Sequence, residues 1–82
     1  MEQEILNALR PVFPDVQGDV TLEESTDRYN GYILSGAFQG LSFVERQQRV
    51  FDILRETFGS EAQLISMLFT YTFAEYELLQ AA

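Results

Sequence analysis

Phe38-Gln39-Gly40-Leu41-Ser42-Phe43-Val44-Glu45-Arg46-Gln47-Gln48-Arg49-Val50-Phe51 is the stretch on which the fold turns. Gly40 marks a turn, and Ser42 followed three residues later by Glu45 has the spacing of a capping box. In that arrangement the serine hydroxyl accepts from the backbone amide of the third helical residue, whose own carboxylate accepts from the serine amide. A helix therefore starts near Phe43. Downstream, Phe43, Gln47, Val50, Phe51, Leu54 and Phe58 recur at three- and four-residue spacing, an apolar stripe broken only by Gln47. Gly59 offers a residue able to take a left-handed C-cap. The stretch predicts a helix of about four turns packed on one face.

Working outward from this helix, Ile5, Leu6 and Leu9 form an apolar stripe in an opening helix that Pro11 brings to an end. Val20 and Leu22 alternate with Thr21 and Glu23, the pattern of a half-buried strand. Residues 24–28 read as a solvated connection and Asn30-Gly31 as a turn or bulge; Tyr32, Ile33 and Leu34 are the apolar centre of a second strand, with Gly36 near its end. Residues 64–71 are nearly all apolar, too dense for a one-sided amphipathic strand, and predict a third strand with substantial burial. A strand, a helix and a strand in one sheet make a right-handed crossover, so the second and third strands are expected to be parallel. A short helix over 74–79 completes the order α-β-β-α-β-α. The expected fold class is α+β: a three-stranded mixed sheet with helices packed on one face.

Eighty-two residues, 46% of them hydrophobic, suit one domain over 1–82 with one core. There is no cysteine, histidine or lysine, which removes thiolate and imidazole ligands and the usual nucleophiles and bases. The remaining carboxylates, hydroxyls and arginines show no diagnostic catalytic spacing, so the expectation is a protein that is not an enzyme. Glu23, Glu24 and Asp27 lack the spacing and glycine of a calcium loop, and no metal or cofactor is expected. Thirteen acidic residues against five arginines give a net charge of −8, which keeps the chain in solution, repels phosphate backbones and anionic membranes, and attracts a basic protein. Glu2 and Glu4 open the chain in place of a basic signal segment, and Ser66 and Thr70 interrupt the greasiest run. A cytoplasmic location, off the membrane, is the expectation.

The quoted stretch also resembles the BolA-like family, whose members carry an aromatic-x-Gly-x-Ser turn, here Phe38 to Ser42, and a Val-x-Arg-x-x-Arg helix, here Val44 to Arg49. Thr70-Tyr71-Thr72 followed by Glu75, Tyr76 and Glu77 is similar to the family's second block, with Phe73 where many members have proline and Tyr76 where many have tryptophan. The resemblance implies a fold similar to the class II KH fold and a non-enzymatic regulatory or protein-interaction role. It also implies a monothiol glutaredoxin as partner, with a shared iron-sulfur cluster held partly by a histidine near the start of the third strand. Gln63 or Leu64 stands at that position, and neither supplies a thiolate or imidazole. Ser25, Thr26, Asp27 and Arg28 fill the loop where some members place a second ligand. The expectation is a contact without cluster ligation.

Four residues are the candidate contacts to a partner: Arg46, Arg49, Gln63 and Tyr71. Arg46 and Arg49 fall on neighbouring positions of one helix face, suited to a carboxylate or phosphate, although local pairing with Glu45, Asp52 or Glu56 is the commoner use of surface arginines on an acidic helix. Phe69, Tyr71 and Tyr76 suit either the core or an aromatic surface, Tyr71 presenting a polar edge. Two further readings stand beside the interaction module. One is a nucleic-acid-binding transcriptional regulator, which clustered arginines favour although a Gly-x-x-Gly loop is missing. The other is a homo-oligomeric structural protein, for example a homodimer, which an exposed apolar patch favours.

Overall fold

The computed structural model describes residues 2–81. The elements are α1 (Glu2–Leu9), β1 (Gln17–Glu23), β2 (Arg28–Leu34), α2 (Phe43–Phe58), β3 (Ile65–Tyr71) and α3 (Phe73–Ala81), with short 3-10 turns at Gly36–Phe38 and Gly59–Leu64. The sheet order is β1-β2-β3. β1 and β2 form an antiparallel hairpin, and β2 and β3 run parallel across the α2 crossover.

The capping box forms as the spacing dictates. Ser42 Oγ accepts from the Glu45 amide at 3.2 Å, and Glu45 Oε1 accepts from the Ser42 amide at 3.0 Å. At the other end of α2, Gly59 takes φ 59°, on the side of the map where a Cβ is strained, and its amide returns to the Arg55 carbonyl. α1 and α2 cover one face of the sheet. Ile5 and Leu9 from α1, Val50 and Leu54 from α2, and Val20, Ile33, Ile65 and Leu68 from the strands form the core with Phe13, Val16 and Phe38. The Phe13 and Phe38 rings meet at 5.1 Å, closing the core below the hairpin.

Several local expectations are corrected. Asn30-Gly31 lies inside β2, and the irregularity next to it is a register shift against β3 between Tyr29 and Asn30. Gly31 is needed there because a Cβ would come within 2.0 Å of the Asp19 carbonyl oxygen on β1. Leu22 is 41% exposed, because β1 is an edge strand that outruns the helical layer. β3 is buried on one face only. Ile65, Leu68 and Thr70 face the core while Met67 and Phe69 stand outside, since α1 and α2 supply no layer for the second face. Phe43 is likewise exposed, as the first turn of α2 projects past the sheet. The third helix departs from the helical layer: its Tyr76 ring stacks at 4.9 Å on Tyr32, whose neighbour Ile33 points into the core. α3 thus lies partly over the otherwise open face, and none of its described residues is fully buried.

Candidate functional site

Arg46 is the residue whose placement most changes the picture. It sits on the inner side of α2, 9% exposed, with its guanidinium 5.9 Å from the Phe38 ring centroid. Nε donates to the Leu41 carbonyl at 3.1 Å, and Nη1 donates to the Thr70 carbonyl at 3.1 Å and to Glu75 Oε1 at 2.7 Å. Nη2 completes a bidentate pair with Glu75 Oε2 at 3.1 Å. Four of its five N–H groups are thereby engaged inside the molecule. The two arginines of the motif are separated: Arg49 stays exposed, beside Glu45. A position that differs by a fraction of a helical turn suffices, because the rim of the core falls between them. The paired-arginine anion site and the pairing of Arg46 with Glu45, Asp52 or Glu56 both give way to a tie between α2, β3 and α3.

Glu75 is held by a second capping box. Its Oε1 accepts from the Thr72 amide at 2.8 Å, and its own amide donates to Thr72 Oγ1 at 3.1 Å. The Arg46 hydrogen bonds, followed by the Thr72 amide, lower its pKa from the ordinary 4.5 to about 2. Sequence reasoning missed this anchor, although Thr72-Phe73-Ala74-Glu75 carries the same serine/threonine-x-x-glutamate signal as Ser42 to Glu45.

Gln47, the polar break in the apolar stripe, donates from Nε2 to the Leu68 carbonyl at 2.7 Å. The Tyr71 carbonyl accepts from the amide of Ser35, which follows β2, so it faces that strand. Strand alternation then turns the Leu68 and Thr70 carbonyls to the free edge of β3. Gln47 and Arg46 therefore occupy the acceptors that an added strand would use, which blunts this edge against pairing.

Gln63 and Leu64 both lie in the 3-10 turn before β3, exposed. The Gln63 carbonyl accepts from Arg28 Nη1 at 3.0 Å, while among the described residues no hydrogen bond involves its side chain. Tyr71 is at the opposite end of β3, half-buried, its ring parallel to Phe69 at 6.3 Å and tilted against Tyr76 at 6.3 Å. A seven-residue strand spans roughly 20 Å, so the four candidates do not converge on one site, although Arg46 and Tyr71 line one groove at the end of β3. The residues present do not fit an iron-sulfur cluster: β3 is preceded by an amide and an aliphatic side chain, the β1–β2 turn offers Ser25, Thr26 and Asp27, and the sequence has no cysteine or histidine. Among the described residues no group of three acidic, cysteine or histidine side chains is placed to hold a metal ion.

Two grooves flank α3. One lies between α2 and α3, lined by Phe43, Arg46, Thr70, Tyr71, Glu75, Leu78 and Leu79; the other lies on the open sheet face, lined by Tyr32, Phe69, Tyr71, Tyr76 and Leu79 among others, so Tyr71 and Leu79 border both. Phe43, Leu78 and Leu79, 53–74% exposed, line the groove where the two helices meet, and Val44, the next residue of α2 after Phe43, is also exposed.

A helix, a hairpin, a capped crossover helix, a parallel edge strand and a closing helix in this order are shared with known domains. The chain is similar to the BolA domain of SufE1 from Arabidopsis thaliana, with a TM-score of 0.72 and 26% identity over 90% of this chain and 93% of that one. It is also similar to BolA1 from Arabidopsis thaliana, with a TM-score of 0.69 and 20% identity over the same shares. No protein-family profile and no curated protein matches it. With the aromatic-x-Gly-x-Ser turn and the arginine helix in their places, the chain has a BolA-like fold.

Proposed function

We propose that this BolA-like domain is a non-enzymatic regulatory module that works by binding another protein, in the cytoplasm, without holding an iron-sulfur cluster itself. The observation that carries this reading is the apolar surface of Phe43, Val44, Leu78 and Leu79, set beside a groove and far more exposed than such side chains are in a core. A monothiol glutaredoxin is the partner class the fold family suggests. Such a contact rests on surface burial, because Gln63 and Leu64 offer no ligand for iron. The internal use of Arg46 leaves Arg49 without a neighbouring arginine to form a phosphate-binding pair, so the nucleic-acid reading loses its main support.

The test is to mix the protein with a cluster-loaded monothiol glutaredoxin and record size exclusion and visible circular dichroism. A complex with an unchanged cluster spectrum is the expected result, and Phe43→Ser with Leu78→Ser should abolish it. A new spectrum from altered iron ligands would refute the ligand-free contact. Absence of any complex would remove glutaredoxin as the partner.

A further inference from the structure

The open face of the sheet carries a chain of aromatic rings that the core does not use. Phe69 lies parallel to Tyr71, Tyr71 is tilted against Tyr76, and Tyr76 stacks on Tyr32, with centroid separations of 6.3, 6.3 and 4.9 Å. Asp19 is the cross-strand partner of Tyr32 in the β1–β2 register, and its exposed carboxylate has no ion pair or hydrogen bond among the described residues. Ring faces carry negative electrostatic potential, so aromatic faces beside a free carboxylate are matched to a cation with a flat or apolar body. Among the described residues, no arginine pairs with Asp19. Arg46 is internal, Arg55 pairs with Asp52, Arg10 bonds Asn7, Arg28 bonds the Gln63 carbonyl, and Arg49 lies on α2 beside Glu45.

We infer that this face, built by Asp19, Tyr32, Phe69, Tyr71, Tyr76 and Leu79, is a docking surface for a segment of a partner protein that presents an arginine between apolar side chains. The inference rests on the interaction-module reading and adds to it a second contact surface, on the other side of α3 from Phe43 and Leu78, with the chemistry of its occupant. Charge complementarity selects the occupant: the molecule carries −8, the free group on this face is a carboxylate, and guanidinium stacks on aromatic rings. A second copy of this chain would bring the same negative field to the contact. Strand addition at the β3 edge beside these rings is blocked, because Gln47 and Arg46 already occupy its outward carbonyls, so docking here is by side chains on the face. The hydroxyl of Tyr32 fits this picture. Its pairing with Tyr76, then desolvation, then the charges of Tyr76 and Asp19 hold its pKa above the ordinary 10, which places the Asp19 carboxylate within electrostatic reach of this ring.

The experiment titrates the isotope-labelled chain with the peptide acetyl-Leu-Arg-Ala-Leu-Arg-Leu-amide and with its counterpart carrying citrulline at both arginines, which keeps shape and loses charge. Amide and ring resonances of Asp19, Tyr32, Phe69, Tyr71 and Tyr76 should shift with the arginine peptide, and the citrulline peptide should bind about fivefold or more weakly. Asp19→Asn, an exposed substitution that leaves the core untouched, should weaken the arginine peptide by a similar factor and leave the citrulline peptide unaffected. Equal binding of both peptides with shifts at Phe43, Val44 and Leu78 overturns the inference while leaving the interaction module standing. Concentration-dependent shifts on this face in the peptide-free protein assign it to a second copy and also overturn it. Shifts nowhere at millimolar peptide overturn it as well, and the glutaredoxin mixing experiment then decides separately whether the module reading survives.

Discussion

Arg46 and Arg49 are chemically identical and one turn apart, yet their removal should have unequal effects. Arg46 carries a bidentate pair to Glu75 and hydrogen bonds to two backbone carbonyls at the edge of the core, so Arg46→Ala takes this donor from the Thr70 carbonyl in a buried bond and leaves the part-buried Glu75 carboxylate without its cation. A loss of about 3 kcal/mol is expected in urea denaturation, tempered from the fully buried case because Glu75 is 44% exposed. Arg49→Ala should stay within about 0.5 kcal/mol. Equal effects would mean the pair with Glu75 is not maintained in solution. The same pair predicts an acid response. Glu75 has a folded pKa of about 2 against an ordinary 4.5, the depressed case. Its contribution to stability is therefore complete above about 4.5 and lost as pH falls toward 2. Asp15 and Glu45 shift in the same direction, Asp15 chiefly through Ser35 and Glu45 chiefly through the Ser42 amide. Glu75→Gln should accordingly flatten, without abolishing, the fall in denaturation midpoint across that window; a slope equal to the parent's would contradict the assignment.

The two capping boxes place the same local chemistry on helices of different standing. α2 buries Val50 and Leu54 and is held by the core, whereas α3 has no fully buried residue and depends on Thr72, Glu75 and the Tyr76–Tyr32 stack. Either cap is worth about 1 kcal/mol. Ser42→Ala should lower global stability by about that amount with α2 still formed, because tertiary packing sustains the helix. Thr72→Ala should instead open α3 locally, seen as faster amide hydrogen exchange over 76–81 while exchange in β2 stays unchanged. Uniform acceleration across the sheet would show that α3 unfolds only with the rest of the chain.

Taken as a whole, the molecule balances one small core against a strong negative field. Leu54 is fully buried within that core, and Leu54→Ala should cost about 2–5 kcal/mol, while Phe51, only partly buried at its margin, should cost less than a fully buried phenylalanine when truncated. With a net charge of −8, added salt should raise the melting temperature by screening repulsion; a fall with salt would mean that attractive pairs dominate. The spacing of Ser42 and Glu45, the recurrence of Val50 and Leu54 and the positive-φ glycine at 59 were legible in the chain because caps and periodicity are local: each depends on residues within a turn or two of one another. The parallel pairing of β2 and β3 was legible for a similar reason, since a right-handed crossover follows from the order of the elements. The fate of Arg46 was not, because its partner Glu75 lies 29 residues away and becomes a neighbour only after β3 has been laid beside β2. The exposure of Phe43, Met67 and Phe69 was hidden likewise. An apolar residue looks the same in sequence whether its face is covered or open, and which face of this sheet stays open depends on where α1, α2 and α3 pack, a consequence of contacts between distant parts of the chain.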